Sequence, residues 1–141
     1  MLWRHGEVWG RGRPDAMSEC GSLIVDLKTT MDASPDAFAR TAANFNYPLQ
    51  AAYYVDGLQA AGIASPDAVT SFVFLVVEKT PPYGVAVYTL PEDAIELGRN
   101  QYQSALSTYE DAVATNIWGG YSAAYQIETL NLPRWAFRTD D

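Results

Sequence analysis

Short apolar runs separated by polar turns occupy much of the first ninety residues, and two of them are typical of buried strands. Residues 23–25 form a β-rich run, and residues 71–78 form a longer, β-branched run that predicts a central strand. Residues 80–84 have turn chemistry, so residues 85–89 are expected to return as the next strand. Residues 7–15 are predicted to be extended and to form a hairpin with the run at 23–25.

Helical signals lie between and after these strands. A hydroxyl cap, a proline and an acid at residues 34–36 predict a helix that runs to about residue 44. A second helix is expected to begin near Tyr47 and Pro48 and to end around Gly62. A third opens at residues 91–93, with apolar side chains at helical spacing: Ile95, Tyr102, Leu106, Tyr109 and Val113. The element order β-β-α-α-β-β-α predicts an α/β fold, with a mixed central sheet flanked by helices.

The chain length and composition predict one soluble domain. The 141 residues are 48% hydrophobic and 18% charged, and residues from about 117 to 141 are expected to form a C-terminal tail. The longest apolar stretch, at 72–77, is too short to cross a bilayer, and the N-terminus lacks the apolar run of a signal peptide. Because of that short stretch, no membrane partner is expected. A single cysteine, Cys20, excludes an intrachain disulfide, so a cytoplasmic location is expected.

The charge distribution limits where nucleic acid would bind. The formal net charge of −8 argues against indiscriminate binding to phosphates, which requires clustered Lys and Arg. Residues 1–40 carry five basic side chains against six acidic ones, whereas the remaining chain carries four against eleven. We therefore expect any DNA contact to involve the N-terminal third.

Two acidic motifs lie near the first predicted strand. Asp15 ends the segment Gly-Arg-Pro-Asp, and Asp26-Leu27-Lys28 ends the buried run. Because side chains alternate along a strand, Asp26 and Lys28 are expected on one face, with Leu27 pointing into the core. Asp15, Asp26 and the Leu27 carbonyl provide the oxygen ligands that Mg²⁺ prefers, with Mn²⁺ as a substitute. The Lys28 ammonium is suited to orient an attacking water and to offset charge on a phosphate.

Polar side chains elsewhere are candidates for supporting this site. Gln50 and Tyr54 are four residues apart, so they share one face of the second helix, where they are expected to brace the lysine, a phosphate or the attacking water. The hydroxyls of Thr29 and Thr30 are placed to contact a phosphate. Arg13 is either a phosphate contact or a solvated charge, and Tyr47 is expected to serve in packing.

The order of these motifs, GxxD then DxK then QxxxY, resembles the RecB-like branch of the PD-(D/E)XK nucleases. The sequence at 12–15, 26–30, 50–54, 74–83 and 132–135 resembles the RecE-type, exodeoxyribonuclease VIII nuclease domain. The resemblance implies a restriction-endonuclease-like core, with Asp15 and Asp26 as metal ligands, Lys28 as the catalytic lysine, and Gln50 and Tyr54 as supporting residues. It further implies Mg²⁺-dependent exonucleolytic degradation of linear double-stranded DNA in phage-type recombination. A homo-oligomer and a recombination partner protein are the expected partners besides DNA.

One departure from that family leaves an alternative open. Members carry an upstream helical region whose His and Glu complete the site, and His5 and Glu7 are the nearby candidates here, although neither is expected to match. The alternative is a catalytically impaired binding or assembly module with a nuclease fold, or a fragment whose catalytic acid comes from elsewhere. Taken alone, a DxK at a strand end is more often a solvated terminus than a catalytic motif.

Overall fold

The computed structural model of the chain describes residues 1–65, 69–121 and 126–137. The strands are β1 (Leu2–His5), β2 (Val8–Arg11), β3 (Ala16–Met17), β4 (Leu23–Thr30), β5 (Ser71–Glu78) and β6 (Val85–Thr89). The helices are α1 (Pro35–Asn44), α2 (Tyr47–Ala60) and α3 (Glu92–Thr115), followed by a short 3-10 helix at Arg134–Phe137.

The main sheet has four strands in the order β3-β4-β5-β6. Strands β4 and β5 are parallel, whereas β3 and β6 pair antiparallel with their neighbours. A parallel pair requires a crossover connection, and α1 and α2 lie in the chain between β4 and β5. The predicted mixed α/β fold is therefore confirmed, and β5 occupies the interior position that its continuous apolar run indicated.

The hairpin expected from residues 7–15 forms differently. β1 and β2 pair with each other as a separate antiparallel hairpin, with Leu2 opposite Arg11, and its turn includes Gly6 at a φ of +52°. The strand that pairs antiparallel with β4 is instead the two-residue β3, with Ala16 opposite Val25. The prediction was wrong because the glycine turn lets residues 8–11 satisfy their backbone bonds on β1. Asp15 directly precedes β3, so it still reaches β4 next to Asp26. The expectation that Asp26 and Lys28 end the strand was wrong, because β4 continues to Thr30 by pairing with β5.

Helix α1 has the predicted start and end, but its expected hydroxyl cap does not form. Ser34 at the N-cap makes no side-chain capping bond. The Asp32 carboxylate instead accepts a hydrogen bond from the Ser34 backbone N–H, at 2.8 Å. Helix α2 begins at Tyr47 as predicted and ends at Ala60, and Gly62 follows at a φ of +70°.

The hydrophobic core lies on one face of the main sheet. It combines sheet residues with residues of α1 and α2, and its largest fully buried side chains are Phe74, Ile24, Leu58 and Val76. The opposite sheet face exposes Leu27, Val85 and Val87, at 50%, 64% and 62%. The expectation that Leu27 points into the core was wrong, because alternation puts Asp26 and Lys28 on the helix-covered face and turns Leu27 away from it.

The chain divides into two compact units, Met1–Glu110 and Asp111–Asp141. Along α3, Tyr102 of the predicted apolar face is buried, but Val113 is 52% exposed. Residues 122–125 and 138–141 of the predicted tail lie outside the described residues. Among the helices of the described chain, none combines the length and apolarity needed to cross a membrane.

Candidate functional site

Asp26 is the buried acid at the centre of the site. It lies on the helix-covered face of β4 and is only 4% exposed. The Gln50 side-chain amide donates to its Oδ1 from 2.7 Å, and Lys28 Nζ lies 2.6 Å from its Oδ2. A buried carboxylate requires such partners, because burial without them would favour its neutral form.

Lys28 and Gln50 complete a closed polar triangle with this acid. Lys28 Nζ donates to Gln50 Oε1 at 2.8 Å, while the same amide donates its N–H to Asp26. Alternation along β4 places the acid and the lysine on one face, and the first turn of α2 brings the amide over them. The structure thus brings together three of the residues that the motif order singled out.

One oxygen of Asp26 is held by an ion pair and not by a hydrogen bond. Oδ2 is buried and has no hydrogen-bond partner among the described residues, although it forms an ion pair with Lys28. Buried carboxylate oxygens are normally satisfied, so an unsatisfied one calls for a reason. The ion pair with Lys28 at 2.6 Å supplies part of that reason, and a carboxylate oxygen is also the type of ligand that a hard cation takes.

Asp15 lies beside β4 at Leu27, the residue that follows Asp26. Its side chain is exposed, and its Oδ2 accepts a hydrogen bond from the Leu27 backbone N–H at 2.8 Å. The Asp15 carboxylate is therefore hydrogen-bonded to the backbone N–H of the residue that follows Asp26. This contact depends on the β3–β4 pairing, which ends next to Asp15.

The remaining predicted residues have different placements. The Tyr54 hydroxyl donates to the Arg13 carbonyl at 3.4 Å, which joins α2 to the segment before Asp15. Thr30 bonds through its hydroxyl with the backbone of Asp32, in the turn after β4. Thr29 is exposed and, by alternation, shares the face of Leu27 and not that of Asp26. Arg13 is exposed, which leaves its guanidinium accessible to solvent or to a ligand.

The donor set fits a magnesium ion better than a zinc ion. Zinc sites use tetrahedral sets of cysteine, histidine and acid ligands, and no group of three or more His, Cys, Asp or Glu gathers at any point of the described chain. Magnesium is commonly held by one or two carboxylates, with water and substrate phosphate completing its shell. Asp15 and Asp26 are carboxylates of the kind that this second pattern uses, and Asp15 binds the backbone of Leu27, the residue after Asp26.

Two features of this region were missed in the sequence. The ring of Tyr47 lies under Lys28, with Nζ 4.3 Å from the ring centroid. A second acid cluster joins Asp56 on α2 to Arg99 and Tyr102 on α3. The spacing of Tyr47 and Gln50 on one helical face was an available signal for the first feature, but no local pattern pairs residues 43 or more positions apart.

Comparison with known proteins places the fold in a family. No match was found among curated proteins. A family model described as a PDDEXK-like domain of unknown function (DUF3799) matches residues 3–131, which include every residue of the site described above. The mixed sheet and its flanking helices agree with that description. The chain therefore belongs to this PDDEXK-like family, within the PD-(D/E)XK superfamily.

Proposed function

We propose that this chain is a magnesium-dependent deoxyribonuclease that hydrolyses phosphodiester bonds. The observation that carries the proposal is the buried Asp26 carboxylate, which Gln50 binds through Oδ1 and Lys28 through an ion pair at Oδ2. Asp15 on the adjacent backbone supplies a second carboxylate. The family's PDDEXK-like fold supports the same class of reaction.

In this proposal each side chain has a separate task. Asp26 and Asp15 hold the cation, and Mg²⁺, when bound, supplies a Lewis acid that offsets charge developing on the phosphate. The Lys28 ammonium orients the attacking water and donates a charge-assisted hydrogen bond to a phosphate oxygen. Gln50 keeps the ammonium beside the acid by accepting from one and donating to the other. Such positioning of reacting groups accounts for much of the rate in phosphoryl chemistry.

The substrate is proposed to be linear double-stranded DNA, degraded from its ends. The resemblance of the motifs to RecE-type exonucleases supports this choice. We further propose a role in phage-type recombination, as a homo-oligomer with a recombination partner protein in the cytoplasm. The exposed Arg11 and Arg13 precede Asp15 in the chain and are the proposed phosphate contacts. Thr29 is left out of this surface, because it faces away from Asp26.

The decisive experiment measures degradation of end-labelled linear duplex and of closed circular DNA by the purified protein. Loss of linear DNA with Mg²⁺ or Mn²⁺, blocked by EDTA, is expected, while circular DNA persists. Asp26→Asn removes the central charge with little change of shape, and Asp36→Asn is the matched control at an exposed position on α1. Folded protein that cleaves no DNA with either metal would sink the proposal.

A second candidate is a binding module that keeps the nuclease fold without turnover. It is favoured because the described residues contain no group of three or more His, Cys, Asp or Glu side chains that could hold a metal ion. The position of Lys28 at 2.6 Å from Asp26 also satisfies part of the charge that a cation would otherwise balance. Calorimetric titration separates the candidates, because DNA binding without Mg²⁺ or Mn²⁺ binding is expected only from the module.

A further inference from the structure

The aromatic ring of Tyr47 makes a cation–π contact with the ammonium of Lys28. Nζ lies 4.3 Å from the centroid of its ring and 6.0 Å from that of Phe74. The Lys28 side chain is 17% exposed, so the contact is largely shielded from water. A cation within about 6 Å of an aromatic face is attracted by the ring quadrupole, and the attraction strengthens as water is excluded.

The neighbours of Tyr47 hold its ring in a defined orientation. Phe74, which is fully buried, stacks on it with centroids 5.6 Å apart, and Phe38 contacts it at 6.0 Å. Tyr47 is the first residue of α2, and Gln50 follows one turn later on the same face. The helix therefore presents an aromatic face and an amide oxygen to the same ammonium.

This arrangement restricts the conformational freedom of the Lys28 side chain. Lysine is a point charge on a flexible four-carbon stem, and fixing it in one rotamer costs conformational entropy. Asp26 supplies a charge and Gln50 one acceptor, but neither blocks the remaining directions in which the stem can swing. The Tyr47 ring closes one of these directions and attracts the cation at the same time.

We propose that Tyr47 is a positioning residue for Lys28, and that Tyr47 and Gln50 together form the seat that keeps the ammonium at Asp26. The inference rests on the proposed nuclease function for its catalytic consequence, but not for the seat itself. Tyr47 acts through the lysine, so its loss lowers the fraction of molecules with Lys28 in place. The expected effect is on kcat, while KM for DNA stays unchanged.

The seat is tested directly by NMR on the purified, metal-free protein with labelled lysine. Nuclear Overhauser contacts between the Lys28 ε-methylene and the Tyr47 ring are expected, together with upfield ring-current shifts of that methylene. Tyr47→Phe retains the aromatic face and should retain the shifts, whereas Tyr47→Leu should abolish them. The control is Tyr88→Leu, which removes a partly buried aromatic that stacks on Phe38 at 5.3 Å.

Kinetics give the second readout. Tyr47→Leu is expected to lower kcat on the order of tenfold, with Tyr47→Phe and Tyr88→Leu within about threefold of the natural protein. Unshifted Lys28 resonances and no Overhauser contact in the natural protein would overturn the inference without any variant. So would an equal loss of kcat in Tyr47→Leu and Tyr88→Leu, because that result reports general core damage. A natural protein with the shifts but without cleavage retains the seat and rejects only the nuclease function.

Discussion

Asp56 on α2 and Asp26 on β4 belong to two side-chain clusters that differ in their hydrogen bonds. Asp56 receives Arg99 Nη2 on Oδ1 at 3.0 Å, and both Arg99 Nε and the Tyr102 hydroxyl on Oδ2, at 2.8 and 2.6 Å. Asp26 receives one amide on Oδ1, and its Oδ2 has an ion pair but no hydrogen bond within the described chain. The first carboxylate is fully satisfied and the second is not.

The difference follows from the cation in each cluster. The guanidinium of arginine is a planar fork that matches both oxygens of a carboxylate, so the Arg99–Asp56 pair leaves no acceptor open. Hydrogen bonding to Asp56 in turn raises the pKa of Arg99 further above its ordinary value. The Lys28 ammonium is a compact charge that divides its contacts between Asp26 Oδ2 and Gln50 Oε1. Lys28 therefore contacts Asp26 at Oδ2, whereas the Arg99 guanidinium spans both oxygens of Asp56 and joins α2 to α3.

The largest expected effect separates the two acids by activity. Asp26→Asn should lower DNA cleavage on the order of a thousandfold, or about 4 kcal/mol of barrier, because the amide no longer provides the charge that holds the cation. Asp56→Asn should keep cleavage per folded molecule within about threefold. Initial rates normalised to the folded fraction measure both, and comparable losses in the two variants would contradict the division of roles.

Stability should respond in the Asp56 cluster. Asp56→Ala removes the carboxylate shared by Arg99 and Tyr102, and we expect a loss of about 2–3 kcal/mol in the free energy of unfolding by urea. The side chains of Asp56 and Arg99 are 20% and 26% exposed, which keeps the loss below that of a fully buried pair. Glu96→Ala, at the 54% exposed partner of Arg99, should cost under about 0.5 kcal/mol. Equal costs for the two variants would show that Asp56 has no special role.

The same cluster should impose a pH dependence at alkaline pH. Burial, and then the hydrogen bond to Asp56, raises the pKa of Tyr102 to about 12. A raised pKa favours the neutral phenol in the folded state, so this contribution is complete below pH 10 and is lost as pH rises to 12. Two pKa units correspond to about 2.7 kcal/mol, and we expect roughly 1–2 because Asp56 stays partly hydrated.

The comparison that isolates this group is Tyr102→Phe against the natural protein. Urea unfolding at pH 9 and at pH 11.5 should show a smaller alkaline loss of stability in Tyr102→Phe, since phenylalanine has no proton to release. Parallel pH profiles for the two proteins would assign the alkaline loss to other groups.

The smallest expected effect concerns the cation. At 10 mM Mg²⁺ and a dissociation constant of about 2 mM, binding to the folded state alone adds about 1 kcal/mol to the free energy of unfolding. Asp15→Asn should remove this increment, and Asp56→Asn should keep it, because only Asp15 is a proposed ligand of the cation. An increment that persists in Asp15→Asn would place the ion elsewhere on this acidic chain.

Much of the fold followed from local patterns. The strands at 71–78 and 85–89, the helix at 35–44 and the start of the next helix at Tyr47 all have their predicted bounds. Proline, turn residues and β-branched runs act within a few residues of their own position, so they are readable without knowledge of contacts. The predicted hairpin was wrong because residues 8–11 could pair with either β1 or β4, and they pair with β1.

Part of the candidate site was predictable for the same reason. Alternation along a strand put Asp26 and Lys28 on one face, and helical spacing put Gln50 and Tyr54 on one face. The placement of Tyr54 on the Arg13 carbonyl required knowledge of how the elements pack. The orientation of Thr29 away from Asp26 follows from alternation once β4 continues past Lys28. The metal and the catalytic roles stay predictions until the experiments above are performed.

The sequence by itself determined that an acid and a lysine share one side of β4, because the two-residue period of a strand is a local property. It did not determine which side faces the helices, so Leu27 was expected in the core and is half exposed. Only the tertiary structure decided that Gln50 bonds to both Asp26 and Lys28, that Tyr47 lies under the ammonium, and that Arg99 pairs with Asp56. These contacts join residues 19 to 43 positions apart, and burying the common apolar face of β4, β5 and the helices is what brings them together.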